Sequence, residues 1–100
     1  MAIADTKMWH SCVQLLGTTP QTITPTKATH GLSIDNDTTA KVYVVFNWLT
    51  GDTEVSATNF DKVVAAGGSM TIERDGNSLP DIKAYRVLGS ATGYLGNLGW

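Results

Sequence analysis

The sequence predicts an all-β fold, a small antiparallel β-sandwich or barrel-like domain with an N-terminal arm. Three observations carry that expectation. Apolar and polar residues alternate with a period of two through several short runs, as in Leu32-Ser33-Ile34-Asp35. Val, Ile, Thr, Tyr and Phe, which favour the pleated strand surface, fill those runs. Clusters of Gly, Pro, Asn and Asp recur at short intervals between them, the punctuation of a sandwich rather than of βαβ units.

Taken in order, residues 1–30 supply an N-terminal arm and a first strand, and residues 31–100 the sandwich core with an apolar C-terminal tail. Residues 1–8 read as the arm proper, anchored by Met8 and Trp9. Cys12-Val13-Gln14-Leu15-Leu16 is an apolar run that ends at the Gly17–Pro20 turn. The single cysteine excludes an internal disulfide, and within such a run it is expected to be a small buried hydrophobe. Leu32 and Ile34 then mark one face of a strand over Gly31–Asn36. From Lys41 to Leu49, Val42, Val44, Phe46 and Trp48 form one face and Tyr43, Val45, Asn47 and Leu49 the other. A strand apolar on nearly both faces belongs in the middle of its sheet or under a cover.

Val55 to Val64 contains Thr, Asn and Asp, which disfavour helix, and is expected to be a loop or a short edge strand. Gly67-Gly68 bends the chain into a strand over Ser69–Glu73 with Met70 and Ile72 inward. After a turn at Asp75-Gly76-Asn77, Asp81–Leu88 forms another strand. The expected core is Leu32, Ile34, Val42, Val44, Phe46, Met70, Ile72, Tyr85 and Val87. In Thr92–Trp100 apolar side chains alternate with glycine and asparagine, which fits either a last core strand or a tail docked on a neighbouring subunit.

Charge bounds the function. Charged residues make up 16% of the chain, against about 25% in typical soluble domains. A neutral, Thr-rich surface suits contact with other subunits. The net charge of −2 and the two scattered arginines, Arg74 and Arg86, give no basic stripe for a nucleic acid. No apolar run approaches a membrane span, and the start of the chain has no secretory-signal pattern. A soluble protein is expected.

Asp35-Asn36-Asp37 resembles the start of a calcium loop, but Ala40 stands where that loop needs glycine and Phe46 where it needs glutamate. Asp and Asn hydrogen-bond their own backbone two residues on, so the triplet is expected to be the corner between two strands. His10 and His30 have no ligand-spaced partners. Gly67-Gly68-Ser69 lacks the lysine and spacing of a phosphate loop. Asp52 and Glu54 read as solvated acids rather than a glycosidase pair. No catalytic residue, cofactor or metal is expected, and an enzyme is not.

Three stretches, "GLSIDNDTTAKVYVVFN", "VVAAGGSMTIERDG" and "DIKAYRVLGSATGYLGNLGW", resemble the layout of small β-sandwich virion proteins of tailed bacteriophages. The resemblance spans about residues 30 to 100. Leu49 to Lys62 departs from it as an insertion, and the first 30 residues are unmatched. It implies a capsid decoration (cement) protein, or a head-fibre, neck or tail component. The implied partner is a major capsid protein or another virion protein, and the implied form a homo-oligomer, with a trimer favoured. Such a protein assembles in the host cytoplasm and resides on the capsid surface. Met8, Trp9, Tyr94, Leu95, Leu98 and Trp100 are the candidate assembly contacts. The alternative is a carbohydrate-binding or adhesin-like module in which Trp9, Trp48 and Trp100 form an aromatic platform.

Overall fold

In a computed structural model, residues 9–26, 29–73 and 81–100 are described. They form eight strands: β1 (Trp9–Leu15), β2 (Gln21–Ile23), β3 (Gly31–Asp37), β4 (Val42–Phe46), β5 (Lys62–Val64), β6 (Ser69–Glu73), β7 (Tyr85–Leu88) and β8 (Gly93–Gly99). No helix occurs among the described residues. All strand pairs are antiparallel, in two four-stranded sheets ordered β1-β8-β3-β6 and β2-β7-β4-β5.

The pairing is nested. β1 lies on β8, β2 on β7, β3 on β6 and β4 on β5, as if one long hairpin had been rolled up. Rolling adds the β3–β8 and β4–β7 pairs that close each sheet. This is the jelly-roll arrangement of a β-sandwich.

The core lies between the sheets. Leu32, Ile34, Val42, Val44, Tyr85 and Val87 are fully buried, as the alternation predicts. Phe46, Met70 and Ile72 only pack on its margin, because β6 is an edge strand and Phe46 ends β4. Trp9, Leu15, Ile23, Val64, Ile82 and Leu95 complete the core. β4 is an inner strand and β5 an edge strand, in line with their patterns.

Several expectations are corrected. The sandwich begins at Trp9, not at Gly31, since β1 and β2 each provide an edge strand to one sheet. β1 pairs with β8 along its whole length, so residues 9–15 are not part of a free arm. Met8 and the rest of residues 1–8, like the turn at 75–77, lie outside the described residues. Cys12 is exposed, because Trp9, Val13 and Leu15 fix the inward parity of β1 and turn position 12 outward.

The acidic triplet ends β3 instead of forming the corner. The corner follows it and is held from inside. The buried Asn36 amide donates to the carbonyls of Ala40 (2.8 Å), Val64 (3.1 Å) and Ala65 (3.1 Å). Its Oδ1 accepts from the Thr38 amide (3.0 Å) and hydroxyl (2.7 Å). β4 ends at Phe46, and the next residue, Asn47, takes a left-handed φ of 53°. Its side chain takes over the pairing, donating to the Asp81 carbonyl and accepting from the Lys83 amide. The left-handed residue also breaks the strand alternation, so Trp48 sits beside Arg86 on the outer face rather than in line with Phe46.

Candidate functional site

Of the six candidate contact residues Met8 lies outside the described residues, and the other five scatter. Leu95 is fully buried and Trp9 nearly so; both are core side chains, because inner-face parity points them between the sheets. Neither is available to a partner. Trp100 is tied to its own fold: its amide donates to the Gly31 carbonyl, its carbonyl accepts from the His30 and Gly31 amides, and its indole N–H reaches Glu73 Oε2 at 3.1 Å. Tyr94 and Leu98 point outward from β8, Tyr94 half exposed and Leu98 less so. The C-terminal segment is therefore an inner strand of its sheet, with β1 on one side and β3 on the other. With Trp9 buried, the three tryptophans form no common platform.

The two outer faces differ in chemistry. The outer face of β2-β7-β4-β5 is apolar at one end. Tyr43 pairs there with Val63 on β5 and Leu88 on β7, and Phe60 leans on Tyr43 with ring centroids 5.2 Å apart. Phe60 and Val63 are exposed. Tyr43, Val63 and Leu88, with Ala57, Ala65 and Ala66, border a groove of about 880 Å³ that Lys41 also lines. Single exposed apolar residues are ordinary, but a contiguous groove of them marks a contact surface.

At the other end of that face Arg86 works as a clasp. Its Nε and Nη2 bind the two Glu54 carboxylate oxygens at 2.9 and 3.0 Å, and Nη1 donates to Thr22 Oγ1 at 2.9 Å. Its guanidinium lies 4.4 Å from the centroid of the Trp48 ring. The Arg86 hydrogen bonds hold the Glu54 carboxyl below its ordinary pKa, and Glu54 raises that of Arg86. Trp48 Nε1 donates to the Thr53 carbonyl, and Asn59 donates to the carbonyls of Thr53 and Glu54. The insertion after β4 is thereby a braced loop with Val55 buried beneath it. Glu54 is committed to this clasp.

The outer face of β1-β8-β3-β6 is polar. Its cross-strand rows read His10, Leu98, Ser33, Thr71; then Cys12, Gly96, Asp35, Ser69; then Gln14, Tyr94, Asp37. A depression of about 480 Å³ opens over the last two rows, also bordered by Gly67 and Gly68. Elsewhere His30 Nδ1 pairs with Asp81 Oδ1 at 3.0 Å. Among the described residues there is no group of three or more His, Cys, Asp or Glu side chains placed to hold a metal ion.

Sequence reasoning missed Tyr43, Phe60, Val63 and Leu88 as a surface. The signal was present in the two-faced apolar pattern of 42–49, which the expected cover only partly explains. No protein-family model matches the chain, and no curated protein or solved structure does either.

Proposed function

We propose that the protein is a structural component of a virus particle, a small jelly roll that binds a capsid-type protein surface and stabilises it. The observation that carries this reading is the largely apolar groove bordered by Tyr43, Val63 and Leu88, with the exposed Phe60 ring packed on Tyr43 beside it. The resemblance of residues 30 to 100 to bacteriophage virion proteins supports it. Its activity is binding, and its partner is the major capsid protein or a neighbouring virion protein. Docked through the groove, the protein acts as a cement, with a homotrimer adding weak contacts by avidity. A head-fibre, neck or tail position uses the same surface.

The test is co-sedimentation with purified capsids. Val63→Glu places a charge on an exposed position of the groove, which the fold tolerates and an apolar interface does not. Loss of capsid binding in a folded Val63→Glu variant is the expected result. A wild-type protein that is absent from particles by mass spectrometry sinks the reading.

A further inference from the structure

We propose that the depression on the outer face of β1-β8-β3-β6 is a saccharide-binding site, with Gly96 as its floor, Tyr94 as its stacking wall and Asp35 and Asp37 as hydroxyl acceptors. This site lies on the opposite sheet from the apolar groove and does not rest on the capsid reading.

The first observation is a glycine without a structural reason. Three other glycines on these strands are required by their neighbours. A methyl group at Gly31 would run into the indole of Trp100, at Gly93 it would lie 2.9 Å from Thr38 Cγ2, and at Gly99 2.7 Å from Thr29 Cγ2. At Gly96 the nearest atom would be Asp35 Cβ at 3.7 Å, an ordinary contact, and its φ is not left-handed. Glycine weakens a strand, and inside one it often marks the close approach of a ligand or another backbone. Gly96 sits in the middle of its row, between Cys12 and Asp35, where a side chain would fill the depression.

The second observation is the chemistry around that floor. Tyr94 is exposed and stands directly across from Asp37, with Asp35 two residues along the same face. Among the described residues neither carboxylate has a side-chain hydrogen bond or ion pair, although Asn36 between them is fully engaged. A carboxylate offers two acceptor oxygens, which suit vicinal hydroxyls, and an aromatic face receives the C–H face of a sugar ring. The depression is shallow, mixed in polarity as a sugar's two faces require, and within the size range of ligand pockets, roughly 300–1,000 Å³. An apolar ligand would leave both carboxylates desolvated without partners. A neutral polyol satisfies them.

The experiment is a titration of the isotopically labelled full chain with neutral hexoses, deoxyhexoses, N-acetylhexosamines and short glycans built from them, followed by amide NMR. At least one member is expected to shift the amides of Asp35, Asp37, Tyr94 and Gly96 together. Tyr94→Ala and Gly96→Val should each weaken that sugar about tenfold or more. Gly96→Val should do so with no fall in melting temperature, which separates a filled floor from a damaged fold. If no sugar moves these amides at tens of millimolar, or both variants bind as wild type does, the proposal fails. Shifts produced by calcium alone, with none from sugar, would assign the carboxylates to a cation and overturn it equally.

Discussion

The phenol of Tyr85 donates a 2.6 Å hydrogen bond to Asn97 Oδ1 in the middle of the sandwich, joining β7 of one sheet to β8 of the other. Asn97 Nδ2 donates in turn to the Leu95 carbonyl at 3.0 Å. Both side chains are buried, and burial raises the Tyr85 pKa well above its ordinary value. The fold therefore needs the neutral phenol. Its contribution is fully present below the unfolded tyrosine pKa of about 10 and is lost as pH rises above it. Tyr85→Phe is expected to cost about 1–3 kcal/mol at neutral pH, by leaving a buried acceptor unpaired. It should also flatten the fall in stability as pH rises from about 10 upward. Urea midpoints across that range measure both effects.

Asn36 is predicted to be the residue that closes the β3–β4 corner, while the acids beside it are dispensable to the fold. Asn36→Ala removes the donors to Ala40, Val64 and Ala65 and the acceptor for Thr38 at once. A loss of about 2–4 kcal/mol is expected from several buried groups left unsatisfied. Asn36→Asp keeps the shape but puts a carboxylate against three carbonyls, and should be at least as damaging. Asp37→Ala, at an exposed position, should stay within about 0.5 kcal/mol of wild type. Millimolar calcium should leave the melting temperature of all four proteins unchanged, since stabilisation by a ligand requires binding to the folded state.

How far the fold was legible follows from these residues. Period-two alternation placed Leu32 and Ile34 because Ser33 and Asp35 beside them fix the parity, and Val42 because Lys41 and Tyr43 flank it, with Val44 following two residues on. In β8 the parity was ambiguous: Tyr94 and Leu95 are adjacent, so either could face inward, and the buried polar residue turned out to be Asn97. Its partner, Tyr85, lies 12 residues away in sequence and on the other sheet, which no local pattern reveals. A first strand was expected within residues 1–30, but its extent was hidden by its outward face of His10, Cys12 and Gln14, which dilutes the signal of Trp9, Val13 and Leu15. The outer surfaces were illegible for a related reason. Tyr43, Val63 and Leu88 meet only through cross-strand register, and register is a property of the whole sheet.

Core truncations should rank by burial rather than by side-chain size. Phe46 packs on the margin of the core at the end of β4, whereas Leu95 is fully enclosed between the sheets. Phe46→Ala is expected to cost about 1–3 kcal/mol, below the usual 3–5 for a buried Phe, since solvent fills much of the space vacated. Leu95→Ala leaves a closed cavity and should cost about 2–5 kcal/mol. Equilibrium denaturation of the two variants gives the order directly. A larger loss for Phe46→Ala would mean that its ring is better enclosed than its position implies.

Deleting residues 94–100 should abolish the fold rather than release an assembly tail. β8 carries two ladders, to β1 and to β3, and among the described residues it is the only strand that links β1 to its sheet. Its removal strands β1 and opens a new edge on β3. The truncated chain is expected to lose its β-type circular dichroism and its cooperative melt. A truncated protein that stayed folded and lost only its oligomeric state by light scattering would restore the tail reading.

The glycines of sheet β1-β8-β3-β6 give the sharpest contrast in sign. Gly99→Ala drives a methyl group toward Thr29 Cγ2 and to 3.2 Å from the Trp9 ring, both buried and held by the core. Gly31→Ala meets the indole of Trp100, whose backbone is pinned by three hydrogen bonds to His30 and Gly31. Each should cost about 1–3 kcal/mol through overpacking. Gly96→Ala meets no such obstacle and reduces the freedom of the unfolded chain. It should raise stability by about 0.5–1 kcal/mol, the usual difference between Ala and Gly inside a strand. Thermal melts of the three single variants decide the matter. A Gly96→Ala protein destabilised as much as Gly99→Ala would show that position 96 is glycine for packing, and would remove the first support for a ligand at that floor.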